Sequence, residues 1–142
     1  MKPEFAGIER RLDRLNECLQ KLEPLRDRKQ DEFLADPYLR DIVERNLEIA
    51  AQCCIDISNR IISIENAPRP RDYYESLLRL GEIGVLPAEF ARRLAPLGGF
   101  RNILVHEYLE VDWHQVFDNL QRLDDLVKFS DHVRQWLGHH DT

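Results

Sequence analysis

Residues 36–61, DPYLRDIVERNLEIAAQCCIDISNRI, decide the fold. Asp36 can accept hydrogen bonds from the free N–H groups of a helix start, and Pro37 has the fixed φ of a first helical turn and no N–H to lose there. Leu39, Ile42 or Val43, Leu47, Ala50, Cys54 and Ile61 then recur at helical spacing, which predicts the longest helix of the chain. Upstream, Phe5, Ile8, Leu12, Leu15, Leu19 and Leu22 step by threes and fours along a second apolar stripe, stopped by Pro24, with a charged connection between the two helices. Downstream, Asn66-Ala67-Pro68-Arg69-Pro70 reads as a rigid loop, because prolines at 68 and 70 cannot continue a helix.

Asp72 followed by Glu75 is a capping-box pattern that opens a short helix containing Leu77, Leu78 and Leu80 and ending near Gly81 or Gly84. Pro87 starts another, whose Phe90, Leu94 and Leu97 lead into Gly98-Gly99. The paired glycines either end that helix or let two backbones approach. Phe100, Ile103, Leu104 and Val105 resume the apolar pattern. Asp112 with Gln115 then opens a last helix, with Val116, Leu120, Leu123, Val127 and Val133 on its buried side and an end by Gly138. No segment reads as a strand of convincing length. The expectation is an all-α chain, an antiparallel bundle of four or five helices, whose first stripe packs inside the bundle or serves a dimer seam.

With 142 residues, 43% hydrophobic and 32% charged, the chain suits one domain spanning 1–142, and two would be cramped. No apolar run exceeds three residues, so neither a membrane-spanning helix nor a signal segment can be written, and a soluble, cytoplasmic protein is expected. Cys18, Cys53 and Cys54 are odd in number, two of them adjacent. That suits neither a disulfide framework nor a paired-thiol zinc site, and all three read as small buried hydrophobes.

The net charge of −6 argues against a broad nucleic-acid surface, yet its distribution is uneven. Residues 1–59 hold ten basic and thirteen acidic side chains, residues 60–101 seven and five, and residues 102–142 three and eight. Only the middle third is positive, and its basic residues are all arginines: Arg60, Arg69, Arg71, Arg79, Arg92, Arg93 and Arg101. For most of them a solvated helix face is the plain reading. An anion handled by this chain is expected to be met locally.

The stretch Phe100-Arg101-Asn102-Ile103-Leu104-Val105-His106-Glu107-Tyr108 holds Arg-x-x-x-x-His-x-Tyr, with Asn directly after the Arg and an apolar triplet facing the core. By itself such a His is more often a satisfied surface or core residue, such an Arg more often an ion pair with a carboxylate such as Glu107, and such a Tyr ordinary packing. As a whole the motif resembles the HEPN superfamily, and specifically its HepT-like toxins, whose signature is an Arg, four to six spacer residues, a His, one residue and a Tyr late in an all-α bundle. The runs Arg45–Gln52 and Ile55-Asp56-Ile57 resemble that family's second long helix.

The resemblance implies the toxin of a type VII-like toxin–antitoxin pair: a metal-independent endoribonuclease, without cofactor, whose partner is a minimal nucleotidyltransferase antitoxin. It further implies a homodimer with the motifs lining a shared cleft, a larger complex with the antitoxin, and silencing by AMPylation of the motif tyrosine, here Tyr108. Cleavage through the ribose 2′-hydroxyl requires proton transfer and stabilisation of charge on phosphorus. These roles fall to His106 as base or acid and to Arg101 as phosphate clamp, with Asn102 orienting the ribose or the His. The alternative is a non-catalytic helical dimer that binds nucleotide or RNA and docks a nucleotidyltransferase.

Geometry sets a condition on this scheme. On one ideal helix Arg101 and Tyr108 lie about 20° apart, but Arg101 and His106 about 140°. Either the helix ends or distorts before His106, or a second copy of the chain completes the site. His106, Glu110 and His114 stand at metal-ligand spacing only if one helix carries all three, and the Asp112 cap argues that it does not. His139-His140, near the end of the sequence, are expected in solvent.

Overall fold

The longest helix runs Pro37–Ile64, 28 residues, in the computed structural model, which describes residues 3–140. Asp36 Oδ1 accepts from the backbone N–H groups of Tyr38 and Leu39 at 3.0 and 3.2 Å, a cap worth about 1 kcal/mol. At the other end Asn66 takes a left-handed φ of 54°, and the N–H of Ala67 bonds back to the Ile62 carbonyl at 3.0 Å, closing the last turn.

In chain order the helices are α1 (Ala6–Leu22), α2 (Gln30–Ala35), α3 (Pro37–Ile64), α4 (Tyr73–Glu82), α5 (Ala88–Leu94), α6 (Leu97–His106), α7 (Trp113–Leu120) and α8 (Leu123–His140). Single 3-10 turns lie at Pro3–Phe5 and at Glu23–Leu25, the latter carrying Pro24. Ile8, Leu12, Leu15, Cys18, Leu19 and Leu22 of α1 are all buried in the shared core, where α1 packs along α3, so the first stripe lies inside the bundle. Cys18, Cys53 and Cys54 are buried free thiols; burial raises all three, Cys53 to about 11.

The bundle is all-α as expected, but the eight α-helices among the described residues exceed the four or five that the apolar spacing suggests. One addition, α2, occupies the charged connection. It is held by Phe33, fully buried against the rings of Phe117 and Trp113 at centroid distances of 5.4 and 6.4 Å. The last helix is also split. At Gln121 and Arg122 the N–H groups bond to Phe117, Asp118 and Asn119, and a new helix begins at Leu123. Within α8 the buried face runs through Leu126, Phe129, Val133, Trp136 and Leu137, and Val127, expected in the core, lies beside it, 40% exposed.

Helix α8 also runs past Gly138, which places His140 one turn after Trp136. Its ring stacks on that indole at 4.5 Å, and its Nε2 lies 3.0 Å from Glu65 Oε1, so His140 clasps the end of α3 instead of standing free in solvent. Among the described residues no helix is long and apolar enough to cross a membrane.

Candidate functional site

Helix α6 can reach its position because residue 98 is glycine. A Cβ there would stand 2.6 Å from the Tyr73 carbonyl carbon and 2.7 Å from the Tyr74 nitrogen, whereas Gly99 faces open space. Of the two roles open to the glycine pair, close approach is the one realised, and it belongs to Gly98. The approach sets α6 against the start of α4 and brings the Arg101 guanidinium over the Tyr73 ring, 5.3 Å from its centroid.

Arg101 is half-buried and held by neutral acceptors. Its Nε donates to Gln52 Oε1 at 2.5 Å and its Nη1 to Asn102 Oδ1 at 3.1 Å. Gln52 in turn donates through Nε2 to Asp56 Oδ1 at 2.7 Å, and Asp56 Oδ2 lies 3.6 Å from Arg11 Nε. The nearest carboxylate in this network is therefore one residue removed from Arg101, and neither Glu107 nor any other acid among the described residues pairs with it. Amide oxygens orient the guanidinium without neutralising it, so its charge stays in place, and its Nη2 makes no hydrogen bond among the described residues.

His106 is the last residue of α6 and is exposed, with no hydrogen bond to it among the described residues. The helix is continuous up to that point, since the Glu107 N–H bonds to the Ile103 carbonyl at 3.0 Å. It ends after His106, not before, so the angle of about 140° between Arg101 and His106 stands within one chain. Asn102 accepts from Arg101, so its carbonyl supports the guanidinium and not the imidazole.

Tyr108 departs from the helical alignment expected for it. Glu107, at φ −114° and ψ 38°, turns the chain off α6, and the Glu110 N–H closes the turn onto the Glu107 carbonyl at 3.2 Å. Tyr108 is 69% exposed and the next residue, Leu109, 85%. The spacing of about 20° from Arg101 does not apply to a residue outside the helix, and core packing does not account for the phenol either. His106, Glu110 and His114 fall on α6, a loop and α7 respectively, with Asp112 capping α7 through the N–H groups of His114 and Gln115 at 3.1 and 3.3 Å.

The other arginines of the basic middle third divide. Arg71 and Arg79 share Glu75, and Arg93 pairs with Asp125, the plain surface reading. Reasoning from sequence did not single out Gln52, Tyr73 or Gly98 as parts of the site. For Gln52 a signal existed, its i, i+4 spacing to Asp56 on a helix otherwise rich in apolar residues. For Tyr73 none did.

A family model described as ribonuclease HepT-like matches residues 15–133. A tRNA nuclease HepT of Aphanizomenon flos-aquae is 34% identical over 110 residues, 78% of this chain and 75% of that one. An mRNA nuclease HepT of Shewanella oneidensis is 30% identical over 104 residues, 72% of this chain and 78% of that one. Among solved structures, a tri-AMPylated Shewanella oneidensis HEPN toxin in complex with MNT antitoxin superposes with a TM-score of 0.81 at 25% identity, over 95% of this chain and 99% of that one. The chain belongs to the ribonuclease HepT-like family.

Proposed function

We propose that residues 1–142 form one HEPN-like helical domain that acts in the cytoplasm as the toxin of a toxin–antitoxin pair, a metal-independent endoribonuclease. The observation that carries this reading is Arg101, a half-buried arginine fixed by Gln52 and Asn102 and left with its full charge, on the same helix as the exposed His106. The ribose 2′-oxygen attacks the adjacent phosphorus, its proton passing to a base, and the bond to the 5′-oxygen breaks as that oxygen takes up a proton. The products are a 2′,3′-cyclic phosphate and a 5′-hydroxyl. His106 serves one of the proton transfers, and Arg101 holds the phosphate oxygens as charge builds on them.

Because α6 carries the two side chains on different faces, a second copy of the chain completes the site, and the active form is a homodimer. Silencing acts at Tyr108. The cognate nucleotidyltransferase transfers AMP from ATP to the exposed phenolic oxygen, with release of pyrophosphate. The new phosphate brings negative charge and bulk beside His106, which repels an RNA backbone. The superposed Shewanella oneidensis HEPN toxin is tri-AMPylated and in complex with MNT antitoxin, which supports the same regulation here.

Incubation of metal-stripped protein with RNA tests the reading. Cleavage that disappears in His106→Ala supports it, and tight binding without cleavage by the wild type supports the non-catalytic module instead. For the switch, intact mass after incubation with the antitoxin and ATP is expected to rise by AMP-sized increments in the wild type and not in Tyr108→Phe, which keeps its RNase activity and resists the antitoxin. A mass gain in Tyr108→Phe places the modification elsewhere.

A further inference from the structure

A polar stripe crosses the otherwise apolar side of α3. Gln52, Asp56, Asn59 and Ser63 follow one another at steps of four, three and four, hence on one face over about 16 Å, while Cys54, Ile55, Ile57, Ile61 and Ile62 around them are buried. The stripe begins at the residue that holds Arg101 and ends between two open cavities. One, of about 560 Å³, is lined by Asn59, Ser63, Arg69, Arg71, Asp72 and Tyr73 among others. The second, of about 520 Å³, is lined by Arg10, Arg11, Asp56 and Arg60 and again by Asn59 and Ser63, so the two meet along α3. Tyr73, whose ring lies under the Arg101 guanidinium, forms a wall of the first. Tyr73 thus stands between Arg101 and the first cavity, which adjoins the second at Asn59 and Ser63.

The charge along this path opposes that of the whole chain. Five arginines line the two cavities against the two aspartates Asp56 and Asp72, in a protein of net charge −6. Arg11 is tied to Asp56, Arg71 to Glu75, and Arg60 spends its Nε on the Glu4 carbonyl at 3.4 Å. Arg10 and Arg69 are exposed and have no ion pair or hydrogen bond among the described residues. Asn59 accepts the Ser76 hydroxyl at 2.7 Å, which leaves its NH₂ without a hydrogen bond among the described residues, at the lining of both cavities. Each cavity falls within the range of about 300–1,000 Å³ that takes a nucleotide-sized ligand.

We infer that this groove holds the single-stranded RNA that flanks the scissile phosphate, with Arg10 and Arg69 meeting backbone phosphates and the Asn59 amide meeting the edge of a base. The inference rests on the ribonuclease reading and extends it from the cleaved bond to the strand beside it. A nearly neutral strand of protein would gain little from two uncommitted guanidinium groups, whereas a polyphosphate backbone engages both and releases counterions in doing so.

The experiment uses the full chain carrying His106→Ala, so that RNA is bound and not consumed, and a fluorescein-labelled single-stranded RNA of about twelve nucleotides, within the length that single-strand grooves engage. Adding Arg10→Ala/Arg69→Ala is expected to weaken binding about tenfold at 0.1 M salt and to lower the salt slope by one to two units, about one for each phosphate contact. A charge-matched control, Lys29→Ala/Lys128→Ala, exposed residues that line neither cavity, is expected to change neither quantity. In protein with His106 intact, the arginine pair raises KM for the same RNA while kcat stays within about twofold.

Unchanged affinity and salt slope, or an equal loss in the lysine control, would overturn the groove. If the wild type cleaves RNA and the arginine pair leaves KM unaltered, the groove falls and the ribonuclease reading stands; if the wild type neither binds nor cleaves RNA, both fall. Loss of the antitoxin complex with RNA binding intact assigns the groove to a protein interface and also overturns the inference.

Discussion

Arg79 and Arg101 lie on two helices that pack together, α4 and α6, and are bound in opposite ways. Arg79 is 14% exposed and saturated by charge: Nη2 on Glu75 and Nη1 on Glu82, each at 2.7 Å, and Nε on the Pro68 carbonyl at 3.1 Å. It fastens the loop between α3 and α4. Arg101 is held by two amide oxygens and an aromatic face. Carboxylates consume a guanidinium's charge as they fix it, whereas amides fix it and leave the charge in place. A count of charges in the sequence treats the two arginines alike; their acceptors separate a clamp for the fold from a clamp for a phosphate.

Arg101→Ala reduces RNA cleavage by about a hundredfold or more with the fold intact, and Arg101→Lys recovers only part, since an ammonium lacks the planar fork. Arg79→Ala shows the reverse pattern, a lower Tm with kcat/KM near wild type. Cleavage assays paired with thermal melts check both, and an active, folded Arg101→Ala would remove the contrast.

A second variant makes Arg101 resemble Arg79. Gln52→Glu/Asp56→Asn keeps the net charge and a hydrogen bond between the two side chains, but moves the carboxylate onto Arg101. Cleavage is expected to fall about tenfold, with the helical circular dichroism retained, as the phosphate competes with a fixed acid. A smaller and mainly structural effect belongs to Gly98→Ala, where a methyl group meets the Tyr73 backbone. The overpacking costs about 1–3 kcal/mol in Tm-derived stability, while Gly99→Ala, facing open space, costs none.

The smallest effect concerns the clamp itself. A hydrogen bond from Arg71 holds the Glu75 carboxyl below its ordinary value of 4.5. A depressed folded-state pKa contributes stability in full above the unfolded value and loses it as pH falls through the folded one. The Tm difference between wild type and Glu75→Gln is therefore present in full at neutral pH and closes as pH falls below the ordinary carboxylate value and through the lowered one.

Where local rules acted over a long enough stretch, the helices were legible in the residues themselves. Asp36-Pro37, Asp72 and Asp112 cap the helices they were expected to start. Helix α2 was not legible, because six residues are too few for a period and its order comes from distant contacts, chiefly Phe33 on Phe117 and Trp113. Nor was the break at Gln121 and Arg122, which no proline or glycine marks. In the site, the positions of Arg101 and His106 on α6 followed from the motif. The support from Gln52 and the course of Tyr108 off the helix did not: the first is a contact across 49 positions of sequence, and the second depends on where α6 frays.

In the composite site proposed above, the guanidinium of Arg101, paired with no carboxylate, and the exposed imidazole of His106, on different faces of one helix, act on one phosphate by way of two chains. The most direct test of that site is a heterodimer of Arg101→Ala with His106→Ala, co-expressed under two tags and assayed on RNA after removal of metals. Each parent homodimer is expected to be inactive, and the heterodimer to regain about half of wild-type cleavage, since one of its two composite sites is whole. A heterodimer as inactive as its parents would exclude the composite site and place both side chains in a site built by a single chain.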